Sequence, residues 1–180
     1  MTEFDPQRSY ASYTSAAQAF DARVPHGGEP GAQEQALAAE IETRVTRLRA
    51  QHEALEFRQA AAETRAIWVR ANAYVQEAAP WSALNSDRAQ AAVVTRTALG
   101  LVRLSAVLAW SIVPALAQTV AALGDDTPVP AWPARPGGDL LLDSHAGRPI
   151  APIGPLVAKL DAADIERLSR RFGGHEPSAR

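Results

Sequence analysis

Residue types that form catalytic sites occur at two places in this sequence. Asp143, Ser144 and His145 are the residue types of a nucleophilic triad. Three consecutive residues, however, cannot ordinarily converge on one reacting atom, as a triad requires. We therefore interpret this tripeptide as a turn. The segment from His26 to Gly28 is interpreted as a loop, because no nucleophile is recognisable beside it.

Composition and missing motifs exclude most other chemistries. The chain has no cysteine, so it has neither disulfides nor thiolate metal sites. It also lacks a phosphate-cradling glycine loop, a His-Glu-x-x-His motif and paired carboxylates with an acid–base rationale. His52 has no second histidine at ligand spacing, so we expect it to be partly buried and hydrogen-bonded. The sequence therefore predicts a protein that is not an enzyme and holds neither a metal nor another cofactor.

The most suggestive chemistry is a stacking surface at Trp81. Upstream of it, apolar residues recur at three- and four-residue spacing, which predicts an amphipathic helix that buries this face. The residues of that stripe are Phe57, Ala61, Trp68, Ala71 and Ala78. Pro80 is expected to end the helix, because the residue before a proline is disfavoured in the helical region. Trp81 then either faces outward as a recognition residue or caps the helix end as a core residue.

Further helices are predicted on both sides of this one. The first runs from about Pro6 to Ala22, and the second from Gly31 or Ala32 to about Ala54. The helix after Trp81 is expected to have Ser86 or Asp87 as its N-cap. The second helix should bury one face, which is lined by Leu37, Ile41, Val45, Leu48, His52 and Leu55.

An apolar stretch from Leu104 to Leu123 has no charged residue and is long enough to span a membrane. It is alanine-rich, it contains Pro114, and it lacks basic anchors at its C-terminal end. A buried central helix, split or kinked at Pro114, is therefore the preferred interpretation. No membrane contact is expected.

The last third of the sequence is predicted to form mostly irregular structure. Residues 124–138 form a proline-rich connector, in which Trp132 is interpreted as a plug against the bundle, with a binding aromatic as the alternative. Short apolar runs between Leu140 and Leu160 predict irregular structure with at most one short hairpin. Asp161 should cap a final helix that stops at the glycines 173 and 174.

Several short motifs, taken in order, resemble a known family. Ala71-Asn72-Ala73-Tyr74 is followed after a short spacer by Ala79-Pro80-Trp81. Matching segments on both sides are Phe20 to Pro25, His52 to Arg58, the apolar helix after Asp87, and Lys159 to Gly174. In this order and spacing they resemble the anticodon-binding helical domain of methionyl-tRNA synthetase. The resemblance implies an all-α bundle of four to five helices in residues 1–124. It also implies an irregular extension in residues 125–180, packed on the bundle and ending in a short helix.

The resemblance also implies which residues bind RNA. In the family the tryptophan after Ala-Pro stacks on an anticodon base, and Trp81 occupies that position. Gln7 and Ala11 stand where the family has an asparagine and an arginine that read the methionine anticodon, which puts strict reading of that anticodon in doubt. The nucleotide-binding signatures of the catalytic domain are missing, so we expect no aminoacylation by this chain. The predicted RNA-binding residues are Trp81, Pro80, Gln7, Arg8 and Arg70.

Charge gives this prediction local support. The net charge is −2, but residues 44–70 carry six arginines against three glutamates, a local balance of 6 − 3 = +3. Most of these arginines should line a solvated face, whereas Arg70 lies on the helix that leads to Trp81.

Two partner classes are weighed. The expected partner is tRNA, held at its anticodon loop. The expected compartment is the cytoplasm, because the start of the chain lacks signal-peptide features. The alternative is a protein-interaction or regulatory module derived from the same domain, without RNA binding, and an exposed apolar patch would favour it.

Overall fold

A computed structural model describes residues 18–84, 86–121, 132–141, 146–150 and 160–173. These residues form three helices of 22 residues each and four shorter ones. They contain one isolated β-bridge and otherwise no strand, so the predicted all-α fold class is confirmed. In chain order the helices are α1 (Ala32–Glu53), α2 (Phe57–Ala78), α3 (Pro80–Ala83), α4 (Arg88–Ala109), α5 (Pro114–Ala121), α6 (Pro136–Leu140) and α7 (Ala162–Phe172).

Helix α1 lies where the sequence predicts it. The Glu34 side chain reaches back and accepts a hydrogen bond from the backbone N–H of Gly31 at 2.9 Å, which satisfies one free donor at the helix start. The expected stripe is buried at Leu37, Ile41, Val45 and Leu48. The prediction for Leu55 was wrong, because this residue is 70% exposed. Its backbone has a φ of 58° just beyond the helix end, so its side chain does not continue the stripe.

The buried face of α2 agrees only in part with the predicted one: Ala71 is buried and Ala78 packs against the core, as expected. Phe57 is 63% exposed and Trp68 is 37% exposed, so the predicted stripe was wrong at these positions. It was also wrong at Ala61, which is exposed. The residues that are buried are Ala60, Glu63, Thr64, Ile67, Ala71 and Tyr74. Two of these buried residues, Glu63 and Thr64, are polar, so hydrophobic periodicity did not predict this face.

Helix α4 is the buried centre of the fold. Asp87 is its N-cap, as predicted, and accepts hydrogen bonds from the backbone N–H groups of Ala89 and Gln90. The helix is long and apolar enough to cross a membrane by length and composition, but its apolar part is mostly buried within the bundle. The apolar stretch is split before Pro114, the first residue of α5, as expected from the missing backbone donor of proline.

One main core joins the three long helices. Its buried side chains come from α1, α2 and α4, and a smaller cluster joins α4 to α5. The main core contains Leu37, Ile41, Val45, Leu48, Ala60, Ile67, Ala71, Tyr74, Val94, Leu101, Leu104 and Leu108. Burial of this apolar surface is the main favourable contribution to folding.

The connector residues from 132 to 141 pack on the bundle through Trp132 and α6. Trp132 lies against the main core, so its interpretation as a plug is confirmed. Its ring and that of His52 form a T-shaped pair with a centroid distance of 6.1 Å. His52 is half-buried, as expected, but its Nε2 atom has no hydrogen-bond partner among the described residues. The prediction of a hydrogen-bonded His52 therefore fails at this nitrogen.

Helix α6 was not predicted from the proline-rich sequence. It packs against α1 and α4. The backbone N–H of Gly137 donates to Oε2 of Glu42 at 2.7 Å. A Cβ atom added at Gly137 would lie 2.0 Å from the carbonyl oxygen of Ala38, so only glycine permits this close approach.

A short backbone pairing joins residues 22–24 to residues 147–150. Arg23 and Pro149 form an antiparallel bridge, and Val24 donates to the carbonyl of Arg148 at 2.9 Å. The backbone N–H of Ile150 donates to the carbonyl of Ala22 at 2.7 Å. This pairing joins distant segments, whereas the sequence predicted irregular structure with at most one local hairpin. Residues 151–159, part of the predicted hairpin region, lie outside the described residues.

The final helix, α7, is capped as predicted. Oδ1 of Asp161 accepts a hydrogen bond from the backbone N–H of Asp164 at 2.7 Å. None of its residues is buried, and Ile165 and Phe172 are exposed. The division of the chain at residue 124 stays a prediction.

Candidate nucleic-acid interface

The predicted stacking residue lies at a sharp break between α2 and α3. Ala79 has φ 40° and ψ 65°, a left-handed conformation that turns the chain out of α2. Pro80 is buried and opens α3, where its missing N–H leaves no broken hydrogen bond. The carbonyl of Ala79 accepts hydrogen bonds from the backbone N–H groups of Ser82 and Ala83 at 2.8 and 3.2 Å. The break therefore gives Trp81 a defined backbone position.

Trp81 itself is half-buried. It belongs to neither of the two buried clusters described for the core. The short helix that carries it packs on α4. One part of the side chain is thus held against the protein while another part contacts solvent, as a stacking surface requires.

Arg88 brings a second segment of the chain to this end of the bundle. It is the first residue of α4 and follows the Asp87 cap. Its Nη2 atom donates to the carbonyl of Ala19 at 2.9 Å, and its guanidinium lies 5.1 Å from the ring centroid of Phe20. Sequence reasoning missed this residue. The sequence did offer one signal: Arg88 directly follows the predicted N-cap Asp87, so it lies at the start of α4, close to the α2–α3 break.

The remaining predicted RNA-binding residues divide into two groups. Gln7 and Arg8, together with Ala11, lie outside the described residues. Arg70 is described and is half-buried in α2. The Asp143-Ser144-His145 tripeptide also lies outside the described residues. The segment from His26 to Gly28 is a loop, as predicted, and Arg96 donates to the carbonyl of Gly27 within it at 2.9 Å.

Arg70 takes part in a network of ion pairs between α1 and α2. Its Nε atom donates to Oε2 of Glu40 at 2.8 Å, and its Nη1 atom lies 3.8 Å from Oε2 of Glu77. Arg44 donates to Oε1 of the same Glu40 at 2.9 Å and to Oε1 of Glu63 at 2.9 Å. The hydrogen bond from Arg44, with that from Arg70, outweighs burial and holds the pKa of Glu40 below its usual value.

The ion pairs of this network neutralise part of the positive charge of residues 44–70. Arg44, Arg47 and Arg70 are ion-paired to carboxylates, and Arg49 donates to the carbonyl of Pro133 while covering the ring of Trp132. Arg58 and Arg65 are exposed on α2, and neither forms an ion pair or hydrogen bond within the described part of the chain. The unneutralised charge is therefore concentrated on the outer face of α2.

The described residues contain no cluster of three or more histidine, aspartate or glutamate side chains that could hold a metal ion. The geometry at the α2–α3 break is that of a surface aromatic ring, with cationic side chains farther along the helix. Such an arrangement suits a flat, anionic ligand.

Comparison with known proteins shows which family this chain belongs to. Residues 24–177 match the family described as the anticodon binding domain of methionyl tRNA ligase. The chain belongs to this family. It is 40% identical to the methionine–tRNA ligase of Caulobacter vibrioides (strain NA1000 / CB15N) over 158 residues, which are 87% of this chain and 28% of that protein. It is 41% identical to the methionine–tRNA ligase of Maricaulis maris (strain MCS10) over 157 residues, 86% of this chain and 27% of that protein.

A solved structure confirms that the fold is that of a methionyl-tRNA synthetase anticodon-binding domain. The apo crystal structure of Mycobacterium tuberculosis methionyl-tRNA synthetase superposes with a TM-score of 0.69 at 21% sequence identity. The superposition covers 86% of this chain and 31% of that one. The chain thus spans less than a third of the length of the synthetases it matches. Residues 24–177 correspond to the anticodon-binding part, and the match includes no catalytic domain.

Proposed function

We propose that this chain binds tRNA at its anticodon loop and stacks one unpaired base on Trp81. The observation that carries the proposal is the half-buried Trp81 at the α2–α3 break of a chain that belongs to the anticodon-binding family. Loop bases are the part of a folded RNA that can be splayed out and stacked on an aromatic ring. Each such stack contributes about 1 to 3 kcal/mol of binding free energy.

The turn around Trp81 supports this role physically. Pro80 is anchored by burial, and the hydrogen bonds to the carbonyl of Ala79 fix the backbone that carries the tryptophan. A ring that is already positioned loses less conformational freedom when a base stacks on it. Affinity then comes from the stacking contact without a large ordering cost.

Gln7, Arg8 and Arg70 complete the proposed contacts. Gln7 can hydrogen-bond a base edge, and Arg8 can meet a phosphate. Arg70 would share its guanidinium between a phosphate and Glu40, to which it already donates. Ala11 cannot replace the donors of an arginine, so we propose that the chain does not read the methionine anticodon strictly.

We further propose that the chain works without catalysis. Adenylate formation needs groups that position and neutralise a nucleotide, and the sequence offers no motif for this. ATP, methionine and tRNA mixed with the purified chain should therefore yield no aminoacyl-tRNA. The proposed compartment is the cytoplasm, where tRNA is present, and no membrane contact is proposed.

An electrophoretic mobility shift with total tRNA tests the proposal. The measurement is made at about 50 and about 200 mM salt, because phosphate contacts release counterions and weaken steeply between these values. A shifted complex that weakens as salt rises is the expected result. Folded protein that shifts no tRNA even at the lower salt concentration would refute RNA binding.

A protein-interaction module remains the second candidate, since several apolar side chains are exposed. Leu55 is exposed between α1 and α2, Phe57 and Val69 are exposed on α2, and Ile165 and Phe172 are exposed on α7. Exposed apolar surface of this kind occurs at protein-binding sites. The absence of a tRNA shift, with the fold intact by circular dichroism, would give this candidate precedence.

A further inference from the structure

We propose that the outward face of α2 is a track for the RNA backbone, which holds the stem adjoining the loop base that stacks on Trp81. The inference deepens the proposed function and rests on it. The track is a stripe of exposed residues that runs along the helix towards the α2–α3 break. Its members are Arg58, Ala62, Arg65, Val69, Asn72 and Gln76.

The spacing of these residues places them on one line. They recur at intervals of three or four positions, which is the separation of neighbours on a helix surface. They lie opposite the buried residues of α2, such as Ala60, Ile67 and Ala71, so the stripe faces away from α1 and α4. A long ligand could therefore follow the helix without displacing any other helix that the structure describes.

The charge of the stripe fits a polyanion. Arg58 and Arg65 make no ion pair within the described residues, and Asn72 and Gln76 add amide donors. The stripe has no carboxylate. The acidic residues of α2 lie elsewhere: Glu63 is buried beside Arg44, and Glu77 accepts from Gln33 of α1. A phosphate near Arg58 or Arg65 would thus meet a cation that has no competing partner.

Arg58 and Arg65 differ from Arg70 in what it costs them to bind a phosphate. For Arg70 to bind a phosphate, its hydrogen bond to Glu40 at 2.8 Å must be weakened or shared. Arg58 and Arg65 carry no such cost. The larger electrostatic contribution to RNA binding is therefore assigned to the outer pair.

Helix geometry indicates which part of the RNA the pair would meet. At a rise of 1.5 Å per residue, Arg65 lies about 20 Å before Pro80 along the helix axis and Arg58 lies about 35 Å before it. Both distances are too long for contact with the base on Trp81. They suit the double-stranded stem, which proteins contact mainly through phosphates and 2′-hydroxyls.

The test compares Arg58→Ala/Arg65→Ala with the unmodified protein on two RNA probes. One probe is an anticodon stem-loop hairpin, and the other is the loop sequence alone as a single strand. For the hairpin, the slope of log affinity against log salt should become shallower by about 2 in the double variant, about 1 for each lost phosphate contact. For the single-stranded loop, the slope should not change.

Three variants make the result specific. Arg167→Ala/Arg170→Ala removes the same charge from α7, where both arginines are already ion-paired, and should leave the slope unchanged. Arg58→Lys/Arg65→Lys keeps the charge and should restore most of the slope. Trp81→Ala should weaken both probes without changing the slope. An unchanged hairpin slope in the arginine double variant, or an equal loss in the α7 control, would overturn the track.

The outcomes also separate this inference from the function on which it rests. If Trp81→Ala weakens binding while the arginine double variant binds as before, the track is wrong and the anticodon-loop proposal stands. If the unmodified protein binds neither probe, the proposed function fails and the track fails with it. The exposed stripe would then suit an acidic protein.

Discussion

The hydroxyl of Tyr74 donates a hydrogen bond to Oε1 of Glu34 across 2.9 Å, and the two side chains are 0% and 1% exposed. The other carboxylate oxygen of Glu34 accepts from the backbone N–H of Gly31 at 2.9 Å. Gln90 of α4 donates to the same carboxylate at 3.5 Å. This one acidic group therefore ties the start of α1 to α2 and α4, close to the end of the bundle that carries Trp81.

The first prediction concerns this hydrogen bond. Tyr74→Phe should lower the free energy of unfolding by about 1 to 3 kcal/mol, because a buried carboxylate loses a donor that no water replaces. Urea unfolding at neutral pH measures the change. Glu34→Gln should be milder, since the amide oxygen can still accept from Gly31 while the amide NH2 group donates to the hydroxyl oxygen of Tyr74. Equal stability of Tyr74→Phe and the unmodified protein would contradict the assigned role.

The same contact shows what hydrophobic periodicity could and could not predict. The apolar stripe of α1 was predictable at Leu37, Ile41, Val45 and Leu48, because that face has no buried charge apart from Glu34 near its start. The stripe of α2 was not, because its buried face includes Glu63 and Thr64. Their polar groups are satisfied by Arg44 and by the carbonyl of Ala60. Periodicity cannot foresee such pairing.

The candidate site was predictable only in part. The sequence indicates a turn at Pro80, because proline restricts the residue before it. It does not reveal that Arg70 is held by Glu40, since partners 30 residues apart meet only when α1 and α2 pack. For the same reason Arg58 and Arg65, which have no ion-pair partner among the described residues, could not be distinguished from the paired arginines. The contact of Arg88 with Phe20 likewise joins distant parts of the chain.

The second prediction distinguishes a recognition tryptophan from a core tryptophan. Trp81→Ala should leave the melting temperature nearly unchanged and weaken tRNA binding by about 1 to 3 kcal/mol. Trp132→Ala is the matched control. Because Trp132 packs against the main core, its truncation should cost up to about 3 to 5 kcal/mol of stability. Thermal melts and mobility shifts on both variants provide the comparison, and a large stability loss in Trp81→Ala would favour a core role.

The third prediction concerns the left-handed backbone of Ala79. This conformation costs an L-residue with a Cβ atom about 1 to 2 kcal/mol relative to glycine, while glycine adds entropy to the unfolded chain. Ala79→Gly should therefore leave stability unchanged or raise it by up to about 1 kcal/mol. Ala62→Gly, at an exposed position inside α2, should instead lower stability by about 0.5 to 1 kcal/mol. Chemical denaturation of both variants tests the difference in sign, and equal losses would argue against the turn.

The fourth prediction uses two adjacent glycines in α6. Gly137→Ala should lower the midpoint of urea unfolding, because the new methyl group would collide with the carbonyl of Ala38. Gly138→Ala is the control, since the nearest atom to an added Cβ atom is 3.8 Å away on Arg135, an ordinary contact. A Gly137→Ala protein as stable as Gly138→Ala would mean that α6 does not dock on α1 in solution.

The fifth prediction follows from the pKa of Glu40, which Arg44 and Arg70 hold below its usual value of about 4.3. A lowered pKa in the folded state means that the carboxylate stabilises the fold above the unfolded-state pKa. This contribution is lost as the pH falls through the folded-state pKa. The melting temperature of Glu40→Gln should therefore lie below that of the unmodified protein at neutral pH, and the gap should close below about pH 4.

A matched surface carboxylate controls for general acid effects. Glu166 forms an exposed ion pair with Arg170 on α7, where solvent screens the interaction. Glu166→Gln should show only a small gap at every pH. Melting curves between about pH 3 and pH 7 decide the matter, and a Glu40→Gln gap that stays constant over this range would remove the ion-pair network as its cause.

The backbone pairing of residues 22–24 with residues 147–150 bears on how the molecule folds and opens. The Arg23 side chain also donates to the carbonyl of Gly147, a contact that spans 124 positions of the sequence. Closing a longer loop costs somewhat more conformational entropy, and the three long helices make their contacts between nearer neighbours. The helical core can thus assemble before this backbone pairing forms. Because only a few backbone hydrogen bonds hold this pairing, we expect it to open locally in the native state. Its amide hydrogens should then exchange with solvent well before those of the core helices.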